Sequence, residues 1–135
     1  MKLITRDSDY AIRALCFIAK SKNRIVNVSE LTAQLKIPRP FLRKILQTLN
    51  KNGLLYSYKG KAGGFELAMR PNKIFVLKIM QIFQGELKLN ECFLKKAPCP
   101  NVKRCKLKKK VDKIQEYVFR ELKVVSLSYL MKKRA

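Results

Sequence analysis

The 135-residue chain contains no histidine and no tryptophan, only nine acidic residues, and no long uninterrupted apolar run. Each absence excludes something. Without histidine the commonest general base is gone, and with it the Ser-His and Cys-His catalytic pairs and most zinc enzyme sites. The few carboxylates form no obvious paired site, so the chain does not read as an enzyme. No stretch reaches the roughly 18 apolar residues that a membrane span needs. The first residues, Met1-Lys2-Leu3-Ile4-Thr5-Arg6-Asp7, become charged before the apolar region of a signal peptide could form. A cytoplasmic protein with no membrane partner is expected. In that compartment the four cysteines are thiols or ligands rather than disulfides.

What the chain has in excess is positive charge. Thirty-one Lys and Arg against nine Asp and Glu give a formal charge of +22. A surface so basic repels itself unless it meets a polyanion. Nucleic acid is the first candidate and an anionic membrane surface the second. Hydrophobic residues make up 47% of the chain, enough to close a core, so global disorder is not expected.

Periodicity then orders the chain. Residues 8–20 form a helix, with Ala11, Ile12, Leu15, Cys16, Ile18 and Ala19 on its apolar stripe and Asp7 and Asp9 in its first turn. A short second helix starts at Asn27, which caps it, with Glu30 placed for a capping box. It ends before Ile37-Pro38. In the third helix Pro40 suits a first-turn position, and Leu42, Ile45, Leu46 and Leu49 fall on one face. Pro40, Lys44, Gln47 and Lys51 lie on the other, Arg43 on its flank, and Asn52-Gly53 ends the helix. Two strands follow, Leu54–Tyr58 and Phe65–Met69, joined by the basic, glycine-rich turn Lys59-Gly60-Lys61-Ala62-Gly63-Gly64. Residues 76–84 form a helix stopped by Gly85. Residues 86–110 have no clean period. Residues 111–124 are helical again, with Val111, Ile114, Val118, Leu122 and Val125 near one stripe, and a short segment, Leu127–Lys133, closes the chain.

Three helices followed by a hairpin, the third helix carrying exposed cations and an amide, is a winged helix-turn-helix pattern. The fold class is mainly α with a small β-hairpin. A helix fits the major groove, where Arg or Lys pairs with guanine and Gln with adenine. Arg39, Arg43, Lys44 and Gln47 are the candidates nearest the bases, and Lys51 for phosphate. Lys59 and Lys61 at the hairpin tip can reach the backbone or the minor groove, and the glycines beside them allow close approach. The partner expected is double-stranded DNA. A solvated basic helix face, or a basic RNA-binding protein, accounts for the charge but not for a glycine-rich wing after this helix.

Cys92, Cys99 and Cys105 lie within fourteen residues, with Pro98 and Pro100 beside the middle one. Proline discourages helix there and lets thiols converge. Thiolates hold iron–sulfur clusters, and Lys95, Lys96, Lys103, Arg104, Lys106 and Lys108–Lys110 supply a positive field that favours the thiolate. Three cysteines with an oxygen ligand also suit zinc, and uncoordinated redox thiols are a third reading. The fourth ligand is open among Asp, Glu, solvent and Cys16, the last lying on a core stripe.

The order of these features resembles the IscR/NsrR-type family of iron–sulfur winged-helix transcription regulators over nearly the whole chain. Carrying it are Asp9-Tyr10-Ala11-Ile12-Arg13-Ala14-Leu15, the stretch Ile37 to Gly53, the wing from Lys59 to Leu67 and the three spaced cysteines. The resemblance implies a homodimer joined through a long C-terminal helix at about Leu107–Leu122. It implies an iron–sulfur cluster, [2Fe-2S] or [4Fe-4S], on Cys92, Cys99 and Cys105, whose state sets affinity for a pseudo-palindromic operator, and a regulator that acts as a repressor. In one branch the fourth ligand is a His shortly after the last cysteine; Lys108 stands there. In the nitric-oxide-sensing branch it can be an Asp early in the first helix, supplied by the other subunit, and Asp9 matches that position. The expected division is a winged helix-turn-helix domain over 1–85, a cluster-binding loop over 86–106, and a dimerisation helix with tail over 107–135.

Overall fold

A computed structural model of the protein describes residues 2–89 and 105–132. Three helices come first: α1 (Arg6–Lys20), α2 (Val28–Leu35) and α3 (Arg39–Lys51). Strands β1 (Leu55–Tyr58) and β2 (Gly64–Leu67) form an antiparallel hairpin with Leu55 opposite Leu67 and Tyr58 opposite Gly64. A single 3-10 turn, Pro71–Lys73, leads to α4 (Val76–Gln84). After the cysteine segment come α5 (Lys106–Lys123) and the short α6 (Leu127–Met131).

The expected helices are present, with instructive shifts at their ends. α1 starts two residues early because Thr5 is its N-cap, accepting from the Ser8 N–H; a threonine cap fixes a start that the apolar stripe does not mark. Asn27 caps α2 by accepting from the Glu30 N–H at 2.8 Å. α2 ends on Lys36 at φ 56°, a left-handed cap in a residue with a side chain, and α3 begins three residues later. Pro38 then caps α3, and Pro40 lies in its first turn. The hairpin is shorter than its hydrophobic pattern, and α5 starts five residues before its apolar stripe.

The core sits where α1, α2 and α3 meet the inner face of the hairpin. Ala11, Ala14 and Leu15 of α1, Leu31 of α2 and Leu42, Leu46 and Leu49 of α3 are wholly buried. Phe65 closes the core from the hairpin side. A backbone bridge ties the hairpin to the helices: Val26 N–H donates to Phe65 O at 2.9 Å and Phe65 N–H to Val26 O at 2.8 Å. Gly64, at φ +157°, makes this approach possible, since a Cβ there would stand 2.3 Å from Val26 O.

The chain end returns to the same core. Val76 N–H donates to Val125 O and Leu127 N–H to Ile74 O, both at 2.9 Å, and Leu127 is fully buried. Leu127→Ala removes a core side chain where the backbone on both sides is pinned. It is expected to cost about 3 kcal/mol of stability, read as a lowered urea midpoint at unchanged m-value. A shift within experimental error would show that α6 is not part of the cooperative unit.

Candidate nucleic-acid interface and cysteine site

The four leucine and isoleucine side chains of α3 face inward, so the helix turn puts its polar residues outside. Arg39, Arg43, Lys44, Gln47 and Lys51 are all exposed, as are Lys59 and Lys61 on the hairpin. They do not form one cluster. Arg43, Gln47 and Lys59 line a cleft of about 400 Å³ between α3 and the hairpin, floored by Val28, Gly63, Gly64 and Phe65. Lys44 lies on the other flank, in a depression with Arg6, Asp7, Phe41 and Thr48. Arg39 is held back toward α2, its Nη2 donating to Ser29 Oγ at 2.9 Å. The hairpin tip turns on a Gly63 N–H to Gly60 O bond of 3.0 Å, with Gly60 at φ +98°.

Three features escape a reading of sequence. Phe41, 45% exposed in the first turn of α3, carries the Arg6 guanidinium 5.0 Å from its ring centre, a cation–π contact. Its only signal is an apolar residue off the α3 stripe. Gln84, the last residue of α4, clasps the start of α1. Its Oε1 accepts from Ser8 Oγ at 2.7 Å and from Thr5 N–H at 3.1 Å, and its Nε2 donates to Leu3 O at 2.9 Å. Nothing in the sequence connects residues so far apart. On the outer face of the hairpin, Glu66 joins Tyr58 to Arg24.

Of the four expected ligands, Cys92 and Cys99 lie outside the described residues. Cys105 is the N-cap of α5, a half-exposed free thiol whose Sγ accepts from the Lys108 N–H at 3.4 Å. A sulfur at a helix N-terminus faces the positive end of the helix dipole. Asp9 lies in the first turn of α1, half-exposed, in an i,i+4 ion pair with Arg13 (Nε to Oδ2 3.1 Å). Such a pair adds little stability, so the carboxylate is open to exchange partners. A donor set of thiolates and one carboxylate suits an iron–sulfur centre. Among the described residues no group of three His, Cys, Asp or Glu side chains converges.

α5 buries none of its residues completely. Leu107 is 70% exposed, Ile114 54% and Tyr117 59%, and Val111, Val118 and Leu122 of the expected stripe are only partly covered. No helix among the described residues is long and apolar enough to cross a membrane.

A three-helix core, a wing and a reading helix with an outward basic face define a winged helix-turn-helix regulator. The family model of Rrf2, iron-dependent transcriptional regulators, matches residues 4–133, and the chain belongs to this family. A protein of Aquifex aeolicus provisionally designated an HTH-type transcriptional regulator is 42% identical over 90 residues, 67% of this chain; the match spans only 62% of that relative. The HTH-type transcriptional regulator NsrR of Geobacillus kaustophilus is 29% identical over 134 residues, covering 98% of this chain and 91% of that protein. Among solved structures, the cysteine regulator CymR of B. subtilis superposes with a TM-score of 0.75 at 20% identity, covering 97% of each chain. IscR of T. potens does so with a TM-score of 0.73 at 22% identity, covering 97% of this chain and 86% of that one. The last two show the shared fold. The protein is thus a DNA-binding transcriptional regulator and not an enzyme.

The remaining cysteine, Cys16, packs beside the core. Burial pushes its thiol above the usual range, and Lys20 only partly opposes this. In the reduced, metal-free protein Cys16 is expected to react with iodoacetamide more slowly than glutathione does, read by peptide mass spectrometry of timed quenches. An equal rate would show a thiol accessible enough to serve as a ligand.

Proposed function

We propose that the protein is a homodimeric repressor whose operator affinity is set by an iron–sulfur cluster, sensing nitric oxide, iron supply or redox state. The observation that carries the DNA reading is the convergence of Arg43, Gln47 and Lys59 on one cleft between α3 and the wing. With α3 in the major groove, Arg43 and Gln47 read base edges, Arg39 and Lys44 flank them, and Lys51, Lys59 and Lys61 meet phosphates or the minor groove. In this reading residues 1–85 are the DNA-binding part, 86–106 the cluster-binding segment, and 107–135 the dimerisation helix and a tail whose Leu127 packs back into the core of the first part.

The dimer is supported by α5. An 18-residue helix with an apolar arc and no fully buried residue needs a second surface, and a copy of itself supplies one in a two-fold arrangement. Two α3 helices then meet two half-sites of a pseudo-palindrome.

Cys92, Cys99 and Cys105 would hold the cluster, with Asp9 contributed across the dimer. When bound, the group supplies a redox-responsive centre attached through thiolates. The N-terminal segment is placed to pass on a change there. Gln84 holds Thr5 and Ser8 at the end of α4, Asp9 follows one residue later, and Arg6 stacks on Phe41 at the start of α3. A shift of this segment moves the first turn of the reading helix.

Lys44→Ala is expected to weaken binding to a selected duplex about fivefold and to lower the salt dependence by about one released counterion. Fluorescence anisotropy across a salt series checks it, and parental affinity would remove Lys44 from the interface. Protein purified without oxygen from iron-supplied cells is expected to absorb broadly in the visible, with the band lost in Cys99→Ala. A colourless protein that also fails reconstitution would move the signal to zinc or thiol chemistry and leave the DNA reading in place.

A further inference from the structure

The hairpin leaves the helical body as two short strands, and among the described residues its tip beyond Tyr58 and Gly64 is held by the Gly63-to-Gly60 turn bond. Where Lys59 and Lys61 point is therefore decided at the base. On the inner side the base is held by the Val26–Phe65 bridge. On the outer side it is held by Glu66, whose two carboxylate oxygens are both engaged. Oε2 lies 2.7 Å from Arg24 Nε, and Oε1 accepts from Tyr58 Oη at 2.9 Å. Arg24 belongs to the loop between α1 and α2, Tyr58 to β1, and Glu66 to β2. One side chain thus connects the body to both strands.

The Glu66 side chain is only 18% exposed, while Arg24 is 73% exposed. The carboxylate is shielded by its neighbours, which favours a defined geometry over a fluctuating surface pair. The Tyr58 hydroxyl is held as a donor, its acidity lowered chiefly by the hydrogen bond to Glu66. Tyr58 directly precedes Lys59, so this side-chain cross-link stands immediately before the tip.

We propose that Glu66 is a positioning residue for DNA binding: by joining Arg24 to Tyr58 it fixes the angle at which the wing presents Lys59 and Lys61. The inference rests on the reading of those lysines as DNA contacts. It makes a prediction opposite in sign to simple electrostatics. Glu66→Gln removes a negative charge from a DNA-binding face, and Coulomb attraction alone would tighten binding. The loss of wing positioning weakens it instead, because an ordering cost is then met on binding.

The test uses the full chain and a mixed-sequence duplex pool selected with the parent protein. Glu66→Gln is expected to weaken binding about two- to fivefold. Tyr58→Phe, which changes no charge and alters an exposed group, is expected to weaken it less. In a Lys59→Ala/Lys61→Ala background Glu66→Gln is expected to have no further effect, since a misplaced wing without its cations costs nothing more. Hydrogen exchange of the wing amides in DNA-free protein should accelerate in both single variants while α1 and α3 stay protected. Unchanged or tighter binding by Glu66→Gln, or an equal loss with and without the two lysines, would overturn the proposal. If the double lysine variant binds like the parent, the wing does not contact DNA, and that reading fails separately.

Discussion

Four side chains, Leu42, Ile45, Leu46 and Leu49, decide what the rest of the molecule can be. They occupy the centre of the core, so α3 cannot rotate without exposing them, and burying even one such side chain contributes about 2 kcal/mol. With that face fixed, Arg43, Lys44, Gln47 and Lys51 are obliged to face solvent. α1 and α2 close over the same leucines, and Phe65 brings the hairpin against them. The reading helix is therefore positioned by packing. Apart from Arg39, which bonds to Ser29 of α2, the helix's positioning does not depend on the basic residues, which leaves them exposed to meet a ligand.

That division explains how much was legible in the sequence. α3 declared itself because a buried face and an exposed face alternate with the helical period, and its stripe is unbroken. The capping of α2 by Asn27 was legible because it is local. Apolar periodicity marks the buried part of a helix, not its caps, so the starts of α1 and α5 lie outside their stripes. Thr5 and Cys105 each begin a helix before its stripe does. Contacts between distant residues left no trace at all. Gln84 against Ser8, Arg24 against Glu66, and Leu127 against Ile74 join polar or isolated residues with no pattern to reveal them. A five-residue helix such as α6 has too few turns to show a period.

The candidate site was legible in its residue types and less so in its arrangement. Spacing put Lys44 and Gln47 together on the outer face of α3. In the fold they part, Gln47 toward the wing with Arg43 and Lys44 toward Arg6 and Phe41. A helical wheel gives angles about one axis. Which angle meets the wing depends on how the hairpin docks, and that is set by the Val26–Phe65 bridge and the close backbone approach that Gly64 permits.

The second half of the chain is built against its own electrostatics. Lys106, Lys108, Lys109, Lys110 and Lys113 crowd the first turns of α5, at the end where the helix dipole is positive and cations are unfavourable. Lys108 pairs with Asp112 at 2.7 Å, and both partners are about half exposed. The same helix leaves Leu107, Ile114 and Tyr117 largely in water. A helix with a cation-laden start and an uncovered apolar arc is poorly supported within one chain. Negative charge beside Cys105 and an apolar partner along Leu107–Leu122 would each remove one of these costs. The proposed thiolate-held cluster would meet the first need at the N-terminus of α5, and the proposed second subunit the second along its apolar arc. Under that proposal, loss of one would change how firmly α5 is held for the other, so the coupling between cluster and dimer would have its physical origin in this helix.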